Sequence, residues 1–230
     1  MSVLRSAAFA ATGLALSLQA TAHAGGGVNI SSYGQRALLI QGSGRSVLVN
    51  PYKAVGCAAG LPEPRINAGV ILASSELADE GARGIASGRF LVAPGSYKVN
   101  GLNLEGFASP HDRIEGRRFG NATLWRWQQG GLEFAHIGAT AGPISGADRV
   151  LLGRPDVLII GVGGGDKIYD GPEAAAVVKQ LNRTEPKLPK TADIVGDSIR
   201  NEAPGAARSN SSEKIELERR RYARQKTLDI

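Results

Sequence analysis

Residues 70–81 read VILASSELADEG, an apolar run that enters a polar turn with two acids, Asp79 and Glu80. The continuous apolar run predicts a strand buried on both faces. The polar turn leaves two alternatives open. It is either an ordinary strand end or a catalytic loop that has lost its catalytic groups, and the rest of the sequence has to decide between them.

The composition favours one globular domain built from short elements. The chain has 230 residues, of which 42% are hydrophobic and 21% charged, as is usual for a soluble fold. Its 31 glycines imply many tight turns and a strand-rich or mixed architecture. One helix is predicted at GPEAAAVVKQLN, where Pro172 suits the first helical turn. Layers of sheet flanked by helices fit this mixture.

Nine segments have the alternation or the continuous apolar run of a β-strand. They are VNISSYG, RALLIQG, SVLVNP, GVILASS, RFLVAPG, LNLEGFASP, ATLWRWQ, LEFAHIG and DVLIIGV. The glycines in QQGG, between WRW and LEF, predict a hairpin turn. Trp125 and Trp127 share one face of their strand, which allows a paired aromatic surface, but we expect burial of one or both against a helix.

Both ends of the chain differ in character from the middle. Residues 1–24 have an early arginine, an apolar run and small residues at Ala22 and Ala24, which predicts a secretory signal peptide cleaved after Ala24. We therefore expect an exported protein, periplasmic or extracellular, without a permanent membrane anchor, because the apolar run is too short to span a bilayer. The single cysteine, Cys57, cannot form an internal disulfide. Residues 182–230 are polar and basic, and we expect them to be disordered or loosely attached.

The positive charge does not predict a nucleic-acid partner. The formal net charge is +6, but much of the basic excess lies near the C-terminus, in the stretch ELERRRYARQK, and at scattered arginines. A basic tail is weaker support for nucleic-acid binding than a basic face, and no signature of a nucleic-acid-binding module can be read in the sequence. An unknown small molecule or protein remains the expected partner.

An ordered series of strand-end motifs resembles the metallo-β-lactamase fold superfamily. The motifs are YGQRALLIQGSGRSVLVNPY, VILASSELADEG, FLVAPGS, GFASPHD, RRFGNATLWRWQQGGLEFAHIGA, RPDVLIIGVGGG and EAAAVV. They extend over residues 28–181 and are most similar to the ascorbate-6-phosphate lactonase-like branch of zinc-dependent hydrolases. The resemblance implies an α+β fold, an αββα sandwich formed by residues 25–181, with one or two metal ions at one edge.

The resemblance also implies that the metal site is degenerate. In that family the strand end reads approximately S-H-x-H-x-D-H, and its histidines and aspartate bind zinc or manganese, whose water becomes the nucleophile. Here Ser74 matches the serine and Asp79 the aspartate. Ser75, Leu77 and Glu80 stand at the three histidine positions. Leucine cannot ligate a metal, and a neutral serine hydroxyl is a poor substitute for imidazole at a zinc site.

Other parts of the family pattern have changed as well. HIGATAG keeps His136 but has Ala139 where a metal-bridging carboxylate is expected. Gln35 and Asn50 replace the family's histidine and aspartate in its G-H and V-D-P elements. No P-x-H-Y strand end with the last histidine ligand follows the EAAAVV helix, so the fold is expected to lack its last strand.

Five residues remain as candidates for a residual site at this edge. They are Asp79, Glu80, His111, Asp112 and His136. Four of them, the acids Asp79 and Glu80 and the histidines His111 and His136, are of residue types that can bind a metal. The alternative interpretation is that His111 ties a loop together and His136 packs at a strand end. Zinc or manganese is expected only if the residual site is functional, and otherwise no cofactor is expected.

Two functions follow from these observations. The first is an exported member of the hydrolase superfamily that has lost catalysis and has a binding or structural role. The second is an active hydrolase of a small ester, lactone or phosphate-bearing substrate that uses an atypical metal site. The number of metal ligands at the sheet edge favours the first.

Overall fold

Two β-sheets packed face to face form the protein in the computed structural model, which describes residues 27–181, 192–196 and 214–217. The strands are β1 (Val28–Ser32), β2 (Leu38–Gly42), β3 (Arg45–Val49), β4 (Asn67–Leu72), β5 (Ser87–Leu91), β6 (Gly95–Val99), β7 (Leu102–Pro110), β8 (Asn121–Gln129), β9 (Leu132–Gly138), β10 (Val157–Gly161), β11 (Ala192–Gly196) and β12 (Lys214–Leu217). The helices are α1 (Gly146–Leu152) and α2 (Gly171–Leu181), and a 3₁₀ turn spans Gly56–Ala58.

Both sheets are mixed. The first has the order β12-β1-β2-β3-β4-β5, and β3, β4 and β5 run parallel. The second has the order β11-β10-β9-β8-β7-β6, and β9, β10 and β11 run parallel. The chain crosses from one sheet to the other between β5 and β6. This two-sheet arrangement with few helices confirms the predicted α+β sandwich.

The main core lies between the sheets and includes inward-facing residues of both. Trp125 and Trp127 are buried there, and Trp127 stacks on its cross-strand partner Phe134 with ring centroids 5.0 Å apart. Burial of the two tryptophans was predicted, but the expected neighbour was a helix. They face the first sheet instead, because both helices lie on the opposite face of the second sheet.

The helices cover the outer face of the second sheet. Helix α1 packs against β7 and β8, and α2 packs against β10, over a separate apolar cluster that includes Leu124, Ile160 and Val177. A capping box starts α1, because Ser145 and Asp148 exchange hydrogen bonds between side chain and backbone. In the described residues, loop side chains rather than a helix pack on the outer face of the first sheet.

The β8–β9 hairpin and the α2 helix form where the sequence predicts them. Gln129 pairs with Leu132 across a two-residue turn in which Gly130 and Gly131 have φ values of 59° and 77°. Two consecutive positive φ angles define the turn type that matches the twist of paired strands, and glycine adopts them without strain. The hairpin fixes the register that places His136 opposite Trp125.

Two strands lie beyond Leu181, where the sequence predicts none. Strand β11 follows α2 and pairs in parallel with β10, and β12 pairs antiparallel with β1. This corrects the expectation of a missing last strand and of a tail without regular structure at residues 192–196 and 214–217. The segments ADIVG and KIEL were not recognised as strands because they are short and lie within polar sequence, although their β-branched residues suit strands.

Other expectations for the chain ends fall on residues outside the described part. The predicted signal peptide, residues 1–24, and the remainder of 182–230 belong to this group. Within the described residues, no helix combines the length and apolarity needed to cross a bilayer.

Candidate functional site

The candidate site lies where loops of both sheets meet. Arg36 comes from the turn after β1, and Asp79 and Glu80 from the loop after β4, all in the first sheet. His111 follows β7 and Lys167 follows β10, both in the second sheet. We call these five residues the cross-sheet cluster, because the contacts below join them into one group.

Glu80 is the centre of the cross-sheet cluster. Its side chain is fully buried, and its Oε1 accepts a hydrogen bond from Ser75 Oγ at 2.5 Å. Its Oε2 lies 3.2 Å from Arg36 Nη2 and 3.6 Å from Lys167 Nζ. His111 Nε2 lies 2.9 Å from Oε1, although the ring is not aligned for a linear hydrogen bond. Two cations and an imidazole therefore surround one carboxylate.

These neighbours keep Glu80 ionised. Burial raises the pKa of a carboxyl group, but the contact with His111 and the charges of Arg36, His111 and Lys167 oppose it, and the pKa of Glu80 falls to about 2. The charged form persists at neutral pH because it is paired with cations inside the protein.

Asp79 is held by Lys167. The ammonium Nζ lies 3.0 Å from Oδ1 and 3.2 Å from Oδ2, and both side chains are mostly buried, with 14% and 13% exposure. Lys167 therefore bridges the two adjacent acids of the β4 loop. The carboxylate that matches the family's aspartate is engaged with a protein cation.

His136 is buried and uncharged. It lies in β9, its side chain has no exposure, and its pKa is lowered to about 3 by burial and by the charge of Arg36, with Glu80 acting in the opposite direction. Within the described part of the chain, neither ring nitrogen has a hydrogen-bond partner. At pH 7 it is therefore a neutral imidazole.

Several buried polar atoms of Arg36, its neighbour Gln35 and His136 have no hydrogen-bond partner among the described residues. In residues 27–181, Arg36 Nε and Nη1, Gln35 Oε1 and both ring nitrogens of His136 are buried and have no partner. Buried polar atoms of this kind usually bind ordered water or a ligand, since leaving one unsatisfied costs about 1–3 kcal/mol. The interior around Arg36 is thus more polar than a packed hydrophobic core.

Asp112 organises a loop rather than facing the other acids. Its Oδ1 accepts hydrogen bonds from the backbone N–H groups of Ile114 and Gly116, and its Oδ2 from those of Arg118 and Phe119. Burial raises the pKa of Asp112, but these backbone donors lower it overall. The structure therefore gathers Asp79, Glu80 and His111 of the candidate set, with His136 nearby, and directs the Asp112 carboxylate to the backbone of the turn that follows it.

The residues that the resemblance matches to ligand positions make local contacts. Ser75 Oγ accepts from the Leu77 backbone N–H as well as donating to Glu80. Asn50, which the resemblance matches to an aspartate, donates from Nδ2 to Ser74 Oγ and accepts from the Ser74 backbone N–H. Ala139 is buried, and its N–H lies 3.5 Å from Ser74 Oγ. These contacts tie the strand ends directly to each other.

A cleft of about 470 Å³ opens beside the cross-sheet cluster, a size in the range of small-molecule sites. Its lining combines hydroxyl, amide and apolar side chains: Ser74, Ser75, Glu76, Leu77, Val92, Pro94, Ala108, Phe119, Asn121 and Thr123. Among the described residues, Glu76 is the one charged residue in this lining, and it pairs with the exposed Arg83 at 2.8 Å. The described part of the lining thus offers no cationic side chain to an anionic group.

The side chains present do not fit the metal ion that such folds bind. Among the described residues, no three His, Cys, Asp or Glu side chains are grouped closely enough to hold one. Asp79 and Glu80 are already paired with Lys167 and Arg36, and positive charge at this position repels a divalent cation. These side chains therefore support no chemical step through a metal.

Arg36 and Lys167 were missed by sequence reasoning. Arg36 follows Gly34-Gln35, and Lys167 follows the glycine-rich turn after β10. The sequence does show a basic residue in the loop after each of two strands whose ends the resemblance places at the metal-binding edge of the sandwich, and this could have identified them. Basic residues are common at loop ends, so spacing alone did not single them out.

Comparisons with known proteins agree with this architecture. The family model described as "Beta-lactamase superfamily domain" matches residues 29–184. A Thermotoga maritima protein described as a Zn-dependent hydrolase of the metallo-β-lactamase superfamily is 23% identical, with a TM-score of 0.54 over 67% of this chain and 71% of that one. No curated protein is significantly similar in sequence.

Two other solved structures are similar in fold. An isothiocyanate hydrolase from Delia radicum gut bacteria is 12% identical, with a TM-score of 0.53 over 73% of this chain and 84% of that one. A metallo hydrolase from the archaeon Ignicoccus hospitalis is 12% identical, with a TM-score of 0.51 over 75% and 84% of the two chains. Identities this low establish a shared fold and leave the activity open. The family match over residues 29–184 shows that this chain belongs to the β-lactamase superfamily domain family.

Proposed function

We propose that this protein is an exported, non-catalytic member of the metallo-β-lactamase fold, related to the ascorbate-6-phosphate lactonase-like branch, with a binding or structural role. The observation that carries this proposal is the state of the two acids in the β4 loop. Asp79 and Glu80 pair with Lys167 and Arg36, while Ser75 and Leu77 stand at histidine positions.

A binding role is supported by the cleft that persists next to the cross-sheet cluster. Because the described residues that line the cleft include no cationic side chain, an uncharged ligand suits this lining better than a phosphate-bearing one. The exposed side chain of Asn121 provides an amide group for polar contacts, and Leu77 and Phe119 provide apolar area. His111 and His136 are buried and do not line this cleft.

The second candidate is an active hydrolase of a small ester, lactone or phosphate-bearing substrate. It is supported by the two buried histidines, His111 and His136, next to two acids, with both ring nitrogens of His136 unpaired in the described residues. An atypical metal site would have to recruit these groups by displacing Arg36.

A hydrolysis assay separates the two candidates. The purified mature protein is incubated with an ester, a lactone and a phosphomonoester, with and without added zinc or manganese, beside an active family member as the positive control. We expect no turnover above that of the metal in buffer. Metal-dependent turnover that is lost in both Asp79→Ala and His136→Ala would establish the hydrolase.

Export is tested separately. Expression of the full chain in a bacterium with a periplasm is expected to give a periplasmic protein that begins at Gly25, because the predicted cleavage follows Ala24. N-terminal sequencing of the fractionated protein measures this. Retention of residues 1–24 in a cytoplasmic product would refute the export proposal.

A further inference from the structure

We propose that the guanidinium of Arg36, with the ammonium of Lys167, takes over two tasks of the family's bound cation: it neutralises the acids of the β4 loop and joins the loops of both sheets. The inference rests on the proposed function, since it requires that the site hold no metal. It goes further by assigning a role to two residues that the family pattern does not contain.

The charge balance of the cross-sheet cluster supports this role. Asp79 and Glu80 contribute two negative charges at mostly buried positions, and a buried unpaired carboxylate is strongly unfavourable. Arg36 and Lys167 together supply two positive charges, the same as one zinc ion. Each cation contacts Glu80 Oε2, at 3.2 and 3.6 Å, and Lys167 also contacts both oxygens of Asp79.

The two cations connect loops of both sheets, as a metal ion with ligands from several loops would. Lys167 pairs with Asp79 across 88 residues of sequence and thereby joins the β10 loop of the second sheet to the β4 loop of the first. Arg36 reaches Glu80 across 44 residues and adds the β1 turn. His111 brings the β7 loop to the same carboxylate. Four loops from two sheets therefore meet at Glu80.

The interior is shaped to accommodate the arginine. The Arg36 side chain is only 3% exposed, so its stem lies inside the protein. At Gly161, the last residue of β10, an added Cβ would lie 3.2 Å from Arg36 Cδ, a contact tighter than most real Cβ contacts. The glycine leaves space for the arginine stem next to the β10 strand end. Arg36 is therefore part of the packed structure rather than an exposed charge that happens to bend inward.

A double-mutant cycle tests whether Arg36 works by charge. Removing one partner of a buried pair leaves an uncompensated charge, whereas replacing both by apolar residues of similar volume is often neutral. In urea unfolding at pH 7, Arg36→Met is expected to lower the folding equilibrium constant by roughly a hundredfold or more. The double variant R36M/E80M is expected to return to within about tenfold of wild type.

The matched control is the exposed pair of the same loop. Arg83 and Glu76 lie 2.8 Å apart with side-chain exposures of 61% and 66%, so Arg83→Met is expected to change the folding constant by less than about fivefold. If Arg36→Met changes it as little as this control, the inference is overturned. It is also overturned if R36M/E80M is no more stable than R36M, or if neither variant folds, because Arg36 would then act through packing.

The metal content of the same preparations separates this inference from the proposed function. A metal-free wild type together with a failed cycle would overturn the role of Arg36 and leave the non-catalytic proposal standing. A wild type that retains one equivalent of metal would overturn both. A metal-free wild type with a strong R36M defect rescued by the double change is the expected result.

Discussion

Acid should destabilise this protein through His136, and the size of the effect can be worked out. The folded state lowers the pKa of His136 from 6.5 to about 3, because the ring is buried and lies near the charge of Arg36. The unfolded chain therefore binds a proton near pH 6.5 that the folded protein does not bind until about pH 3. The contribution of His136 to the free energy of unfolding is therefore fully present above pH 6.5 and is lost as the pH falls towards 3.

The expected loss between pH 8 and pH 5 is about 2 kcal/mol in the free energy of unfolding, calculated from those two pKa values by proton linkage. Glu80 adds to the loss only below its ordinary pKa of 4.5, because its folded pKa is about 2 and its ionised form is the stabilised one. The pH 5–8 window therefore isolates the histidine from the carboxylate.

The assay is urea unfolding, followed by tryptophan fluorescence, at several pH values from 5 to 8. The comparison variant is His136→Leu, which removes the titrating group while keeping a buried apolar side chain. Its stability should be nearly flat over this window, whatever its absolute value. Repeating the series in about 0.5 M salt controls for surface charges, because a buried group is screened much less than exposed ones.

Two results would contradict this expectation. A wild-type stability that does not change between pH 8 and pH 5 would show that His136 titrates normally and is not buried as described. An unchanged slope in His136→Leu would show that other groups cause the acid sensitivity.

Two substitutions test the loops around the cluster. Asp112→Ala removes the acceptor of four backbone N–H groups. In a hydrogen-exchange experiment, the amide hydrogens of residues 113–119 should therefore exchange with solvent roughly tenfold faster or more. An unchanged exchange rate would contradict the role of Asp112 in this loop. Gly81→Ala would place a Cβ 1.7 Å from the Ser75 carbonyl oxygen, so we expect a loss of about 3 kcal/mol in urea unfolding. Gly171→Ala, with nothing within 4 Å of the new Cβ, should be neutral, and equal effects in the two glycine variants would count against this geometry.

Local patterns predicted much of the fold. All nine strand segments form strands, including the buried run of β4 and the hairpin at Gly130-Gly131, because alternation and turn chemistry act over a few residues. Strand β6, with the sequence GSYKV, was missed because its side chains are largely exposed at the sheet edge and leave a weak apolar pattern. Helix α1 was also missed, although its Ser145-x-x-Asp148 capping box is a recognisable start signal.

The chemistry of the candidate site was harder to predict than its position in the chain. The family pattern points to the β4 loop and assigns lost ligands to Ser75 and Leu77, because each substitution can be read one position at a time, and this assignment stays a prediction. The pairing of Glu80 with Arg36, and of Asp79 with Lys167, depends on contacts 44 and 88 residues apart that only the folded chain brings together. Comparison with a family pattern shows which residue types differ, but it gives no sign of which side chains pair with these acids in the folded protein.

The metal content of the wild-type protein shows most directly whether protein cations have replaced the metal at the β4 loop. The chain is expressed in medium supplemented with zinc and manganese, purified without chelator, dialysed and subjected to elemental analysis. Because Arg36 and Lys167 already balance the two acids, we expect far less than one equivalent of zinc, manganese or iron. One equivalent that survives dialysis and disappears in Asp79→Ala or His136→Ala would contradict this replacement.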